Sequence, residues 1–154
     1  MKFHRAGAIA LLLAVGGFVS IQLIPVRRAN PPVIGDIAAS AEISASLRRS
    51  CYDCHSNETR WPWYSRIAPY SWFLVKDVKR GRQELNFSDW GTYYPATRHR
   101  KLEWIGRAVR DKAMPPWSYR LMHPGARLSE ADRAAIEHWI ESALAAPAKQ
   151  KANN

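Results

Sequence analysis

Cys51-Tyr52-Asp53-Cys54-His55 holds both cysteines of the 154-residue chain, two residues apart, with a histidine directly after the second. Three chemistries compete for such a spacing: a disulfide, half of a zinc site, or the attachment point of a cofactor. The stretch before it narrows the structural setting. Ile43, Leu47, Cys51 and Cys54 recur at steps of four, four and three, so from Asp36 to the cysteines the pattern is that of a helix with the first cysteine on its apolar stripe.

Three further segments carry the same period. Leu74, Val78, Gly81 and Leu85 mark a helix over Ser71 to Leu85, starting after Pro69, which cannot sit inside it. Leu102, Ile105 and Val109 mark another over Arg98 to Lys112, which must stop before Met114-Pro115-Pro116. Ser129 and Asp132 form a cap signature, and Ile136, Trp139, Ile140 and Ala143 follow at helical spacing. No stretch alternates as a strand. The spacing predicts an all-α domain over residues 36–145, one core in size, with long irregular connectors at 56–70 and 86–97.

Ahead of this domain, MKFHR gives a short positive flank, and Ala6 to Pro25 is apolar with Gln22 as its only strongly polar side chain. Such a run is an export signal, and crossing the hydrocarbon takes about 20 residues. No small-residue cleavage site ends it, so residues 1–25 read as a retained single transmembrane anchor, the alternative being a cleaved signal and release into the periplasm. Lys2 and Arg5 on one side face Arg27 and Arg28 on the other, which leaves orientation to the cysteine chemistry. Pro31, Pro32 and Gly35 punctuate a linker over 26–35, and residues 146–154 form a polar tail expected to be disordered.

The formal net charge is +10, spread over the whole soluble part. An exported chain without a nucleic-acid motif does not point to DNA or RNA; an anionic lipid surface or an acidic protein partner suits the charge better.

Zinc needs two more ligands, and His4, His99, His123 and His138 offer no second close pair. A redox dithiol usually sits near a βαβ pattern, which is missing, and a disulfide across three positions would constrain little of the unfolded chain. The favoured reading is haem c attachment: Cys51 and Cys54 each forming a thioether to one vinyl group, with His55 as the proximal iron ligand. Thioether ligation opposite a histidine suits electron transfer. Of the body's two methionines, Met114 is held between a helix and two prolines and is the first candidate for that place; Met122, His123 or a vacant position are the alternatives. Trp61, Trp63, Tyr64, Tyr70, Trp72, Phe73, Trp117 and Tyr119 are candidates to wall the haem, and Arg60 and Arg66 to pair with its propionates, against the plainer roles of core filling and surface charge. His99 and His138 read as exposed helix residues without a task.

Taken together, CYDCHSNETRWPWYSRIAPYSW, GRQELNFSDW and AMPPWSYRLMHPGARLSEADRAAIEHWI resemble the haem-binding domain family of small membrane-anchored c-type cytochromes, over roughly residues 30–144. The resemblance implies covalently attached haem c, periplasmic exposure and a cytochrome c-like helical fold with an inserted aromatic segment. The long stretch from His55 to Met114 departs from ordinary soluble cytochromes. The expected function is that of a monohaem one-electron carrier tethered to the inner membrane, facing the periplasm and serving an acidic redox partner protein in or at the membrane. A haem-based ligand sensor or peroxidase with an open sixth position is the alternative.

Overall fold

The computed structural model describes residues 2–146, with side chains from Arg5 onward, so the expected disordered tail lies, beyond Ala146, outside the described residues. Seven α-helices occur among them: α1 Lys2–Gln22, α2 Ala41–Ser50, α3 Tyr52–His55, α4 Tyr70–Glu84, α5 Pro95–Arg110, α6 Trp117–Met122 and α7 Glu130–Ala145. No strand is present there, only an isolated bridge between Gly35 and Asp89. The all-α reading holds; the two long connectors end where α4 begins at Tyr70 and α5 at Pro95, and up to there contain only short 3₁₀ turns at Trp63–Arg66 and Trp90–Thr92.

Local chemistry explains where the helices begin. The Ser40 hydroxyl accepts from the Ile43 N–H, so α2 opens at Ala41 rather than at Asp36. Asp36 is spent otherwise, accepting from the Tyr52 hydroxyl at 2.5 Å and pairing with Arg48 at 2.7 Å. Pro95 occupies the first turn of α5, where its fixed φ suits a helix start, and the helix opens three residues ahead of the expected Arg98. Ser129 and Asp132 form the anticipated reciprocal capping box on α7. α6 has no buried residue and hence no apolar period by which it could be read from sequence.

The closed core lies between α2, α5 and α7. Leu47 and Ile136 have no solvent exposure, and Ile43, Leu102, Ile105, Val109 and Ile140 surround them. Burying each such side chain contributes about 1.5–3 kcal/mol, enough for a handful of aliphatics to hold three helices together. Polar ties align the helices: Asp132 accepts from Ser46 at 2.8 Å and Arg49 at 2.9 Å, and Arg133 donates to the Val109 carbonyl at 2.7 Å.

Residues between α1 and α2 run as a strap over the domain. Arg28 donates to the Ser65 carbonyl at 3.1 Å, Asn30 to the Thr59 carbonyl at 2.9 Å, and the Ile34 and Gly35 N–H groups to the Ser88 carbonyl at 2.9 Å. Arg82 of α4 ties both sides, donating to the carbonyls of Ser56 and Ala29 at 2.7 and 2.9 Å. Within α1, Arg5–Gln22 has a mean hydropathy of 1.6, and none of its residues is buried. It is an apolar helix long enough for a membrane anchor or a signal sequence.

Candidate functional site

The helix carrying the first cysteine does not continue through the motif. At Cys51 the backbone leaves helical geometry (φ −125°, ψ −34°), closing α2 through a 2.7 Å bond from its N–H to the Leu47 carbonyl. α3 then restarts as a single turn in which the His55 N–H donates to the Cys51 carbonyl at 2.9 Å. This break splits the motif between two environments. Tyr52 points into the core, stacked on Phe87 with ring centroids 5.0 Å apart, whereas Cys51, Cys54 and His55 face a cavity on the other side.

α4 crosses the motif at Gly81, and only glycine fits there. A Cβ would stand 2.5 Å from the Cys54 carbonyl oxygen, and backbone cannot swing aside as a flexible side chain can. The close approach brings two carbonyls to His55, one from α4 and one from the residue that caps it: its Nδ1 lies 2.9 Å from that of Gly81 and 3.1 Å from that of Leu85. Carbonyls only accept, so Nδ1 carries the proton and Nε2 keeps a free lone pair, the arrangement that orients a metal-ligating imidazole. Burial pushes the His55 pKa down, against an opposing pull from the two carbonyls, so the neutral ligating form is favoured. Both cysteines are free thiols. Burial raises Cys51 to about 12, with Cys54 adding to the effect, and raises Cys54 to about 11, with Asp53 and Asp77 adding.

The cavity has a volume of about 710 Å³ and is lined by Cys51, Cys54, His55 and Met114 together, bringing all four sequence candidates to one site. Cofactor pockets commonly fall between about 300 and 1,000 Å³. Met114 arrives from the far side by a definite device. α5 ends in a Schellman turn, with Lys112 in the left-handed region at φ 54°, its N–H bonded to the Val109 carbonyl and the Ala113 N–H to that of Ala108. The chain is then pinned by the fully buried Pro115, while Met114 itself keeps 40 % exposure.

Of the aromatic candidates, Tyr64, Tyr70, Phe73 and Tyr119 line the cavity; Trp61, Trp63, Trp72 and Trp117 do not. The two alternative ligands, Met122 and His123, are also in its wall. Both ring nitrogens of His123 are occupied, Nε2 3.1 Å from the Tyr64 hydroxyl and Nδ1 3.1 Å from the Tyr119 carbonyl, with its ring stacked on Tyr119 at 4.1 Å. Arg60 pairs with Asp53 at 3.3 Å, and Arg66 lies exposed outside the lining. His99 and His138 sit exposed on α5 and α7, as expected.

Sequence reasoning missed the clasp around Asp53. This buried carboxylate accepts from the Tyr119 hydroxyl at 2.6 Å and from the Arg60 N–H at 3.0 Å, tying the motif to the helix that follows the Met114 turn. Nothing in the motif signals it, because position 53 is one of the two unspecified places between the cysteines. Gly81 left a trace, a glycine at an inward helical position.

Two thiols, an oriented imidazole with a free nitrogen, a thioether and a largely apolar wall of tyrosine, phenylalanine and proline fit a haem, and the glycine crossing shows that the motif is shaped by close packing rather than left open. Among the described residues no group of three or more His, Cys, Asp and Glu is placed to hold a metal ion, so zinc finds no complete ligand set. Fold and site thus define an all-α haem-binding protein. The chain belongs to the haem-binding domain family, which it matches over residues 16–142. No curated protein and no solved structure matches it.

Proposed function

We propose that this protein is a membrane-tethered monohaem c-type cytochrome of cytochrome c-like fold, facing the periplasm and passing single electrons to or from an acidic partner protein. The observation that carries the reading is the convergence of Cys51, Cys54, His55 and Met114 on one cavity. Bound haem would supply one-electron exchange at its iron. Cys51 and Cys54 would hold it through thioether bonds, His55 through Nε2 and Met114 through its sulfur. The Gly81 and Leu85 carbonyls fix the His55 ring, and the Asp53–Tyr119 bond ties the motif to the segment beyond Met114. High thiol pKa values speak against a redox dithiol, whose reactive form is a thiolate. His123 would have to give up both ring contacts to become a ligand, which favours Met114. The +10 charge suits an acidic partner, and tethering raises encounter frequency at the membrane.

The test uses full-length protein from a host with an intact haem-attachment pathway. After acid-acetone treatment the denatured chain is expected to stay coloured and to exceed its polypeptide mass by one haem. Colour lost to the solvent, with a bare polypeptide mass, overturns covalent attachment. The wild type is expected to be low-spin and indifferent to carbon monoxide, and Met114→Ala high-spin and carbon-monoxide-binding. The exposure of Met114 favours a second reading, a displaceable ligand in a sensor or peroxidase, which a carbon-monoxide-binding wild type would support over electron transfer.

A further inference from the structure

The cavity does not account for Trp63 and Ile67, which lie outside its wall, and it leaves Tyr70 and Phe73 of its wall open to solvent. Trp63 is 72 % and Phe73 62 % exposed, with Ile67 and Tyr70 open between them. They come from residues 63–73, which comprise the Trp63–Arg66 turn, a short connection and the first turn of α4. Trp63 packs edge-on against Tyr64 at 5.7 Å, and Tyr64 against Tyr70 at 5.2 Å. Aromatic rings presented to water in this number mark a surface that something covers.

What covers them follows from the end of α1. The Gln22 side chain grips the backbone of Ala68 in both directions, its Nε2 donating to the Ala68 carbonyl at 3.0 Å and its Oε1 accepting from the Ala68 N–H at 2.8 Å. α1 closes at Gln22, the end of an apolar window of 18 residues, Arg5–Gln22. At 1.5 Å per residue that window reaches about 27 Å, close to the roughly 30 Å of a bilayer's hydrocarbon core. If α1 spans the membrane, as the proposed function has it, Gln22 lies at the hydrocarbon boundary and Ala68 within a side chain's reach of it. The Trp63–Phe73 surface is then carried to headgroup depth, where Trp and Tyr rings partition best because one part of each is apolar and the other hydrogen-bonds. Exposed Arg66 closes the turn that Trp63 opens, and the exposed Leu23 and Ile24 directly follow α1.

We infer that the face formed by Trp63, Ile67, Tyr70 and Phe73 is seated in the headgroup layer of the membrane that α1 crosses, with Arg66 on an anionic lipid headgroup. Tyr70 and Phe73 also belong to the cavity wall, so this seating turns that side of the site toward the bilayer and its redox components rather than toward solution.

The full chain, reconstituted in vesicles of phosphatidylcholine and phosphatidylglycerol carrying a diazirine-bearing phosphatidylcholine, is photolysed and its lipid adducts mapped by peptide mass spectrometry. Adducts are expected in α1 and in residues 63–73 and not in α7. Trp63→Ser combined with Ile67→Ser, two exposed positions outside the cavity wall, is expected to abolish the 63–73 adducts while leaving those in α1. Adducts confined to α1 overturn the seating and leave the anchor standing; adducts nowhere, in a chain that fails to float with the vesicles, overturn the anchor and the seating with it.

Discussion

The two sides of the Cys51–His55 motif are built on opposite plans. Behind it, α2, α5 and α7 close on Leu47 and Ile136 and leave neither any solvent contact. In front of it, tyrosine, phenylalanine, proline and methionine surround a volume of about 710 Å³ and several of them stay exposed. Tyr52 and Cys51 are neighbours in sequence, yet the first stacks in the core and the second faces the cavity. The aliphatic side is complete with its own side chains, whereas the aromatic side is shaped around something that the chain must take up. Stability and cofactor chemistry should therefore separate under mutation.

Ile136→Ala tests that separation with the largest expected effect. Truncating a fully buried isoleucine costs about 2–5 kcal/mol through lost burial and the cavity left behind. The unfolding free energy from urea titration should fall by that amount while the haem spectrum of the folded fraction stays that of the wild type. A spectrum that changes in step with stability would mean that the two sides are one cooperative unit.

Gly81→Ala strikes the opposite side. The new Cβ meets the Cys54 carbonyl at 2.5 Å, so either α4 or the motif must shift. Overpacking of this kind costs about 1–3 kcal/mol. Unlike Ile136→Ala, it displaces the carbonyl that holds Nδ1 of His55, and it should alter the spectrum and the reduction potential along with the melting temperature. An unchanged potential would remove Gly81 from the positioning of His55.

The same contrast explains what could be read from the amino acids alone. Ile43 and Leu47, Leu102 to Val109 and Ile136 to Ala143 repeat with the helical period because each helix buries one stripe, and those helices are where periodicity places them. Cys51, Cys54, His55 and Met114 stood out as candidates because few residue types can hold a haem iron, and one cavity brings the four together. The walls were not. α6 buries nothing, Asp53 occupies an unspecified motif position, and the pairing of Tyr119 with it joins residues 66 positions apart. The break at Cys51 was hidden too, since Leu47, Cys51 and Cys54 keep the helical rhythm through a point where the backbone abandons it.

A smaller effect is expected at Asp132, which ties α7 to α2 on the core side. The Ser129 hydroxyl holds its carboxyl well below the usual range, helped by the Ser129 N–H, Ser46 and Arg49, against the opposing effect of burial. Because the folded value is the lower one, the stabilisation is complete above the unfolded carboxyl's pKa of about 3.9 and fades as pH falls below it toward the folded value. Asp132→Asn, which weakens a capping box, should cost about 1 kcal/mol at pH 7. The gap between the two denaturation midpoints should narrow below about pH 4 without any change in the haem spectrum. A gap that stays constant down to pH 3 would show that the carboxylate's charge contributes nothing.

The smallest effect belongs at the turn that joins the two sides. Lys112 closes α5 on the core and directs the chain to Met114 in the cavity, and it does so at φ 54°, where a Cβ crowds the following carbonyl. Left-handed geometry costs a non-glycine residue about 1–2 kcal/mol, while the greater freedom of an unfolded glycine takes back about 0.5–1. Lys112→Gly should thus stabilise by roughly 0.5–1 kcal/mol, a rise of about 1–4 °C in melting temperature for a chain of this size, even though the surface contact with Glu130 is lost. Its second readout is the spectrum. Glycine relaxes the turn without moving its hydrogen bonds, so Met114 should stay where it is and the low-spin signature should persist. A stabilised protein that turned high-spin would show that the lysine's strained backbone is needed to aim the methionine, and that part of the core's stability is given up to shape the cavity.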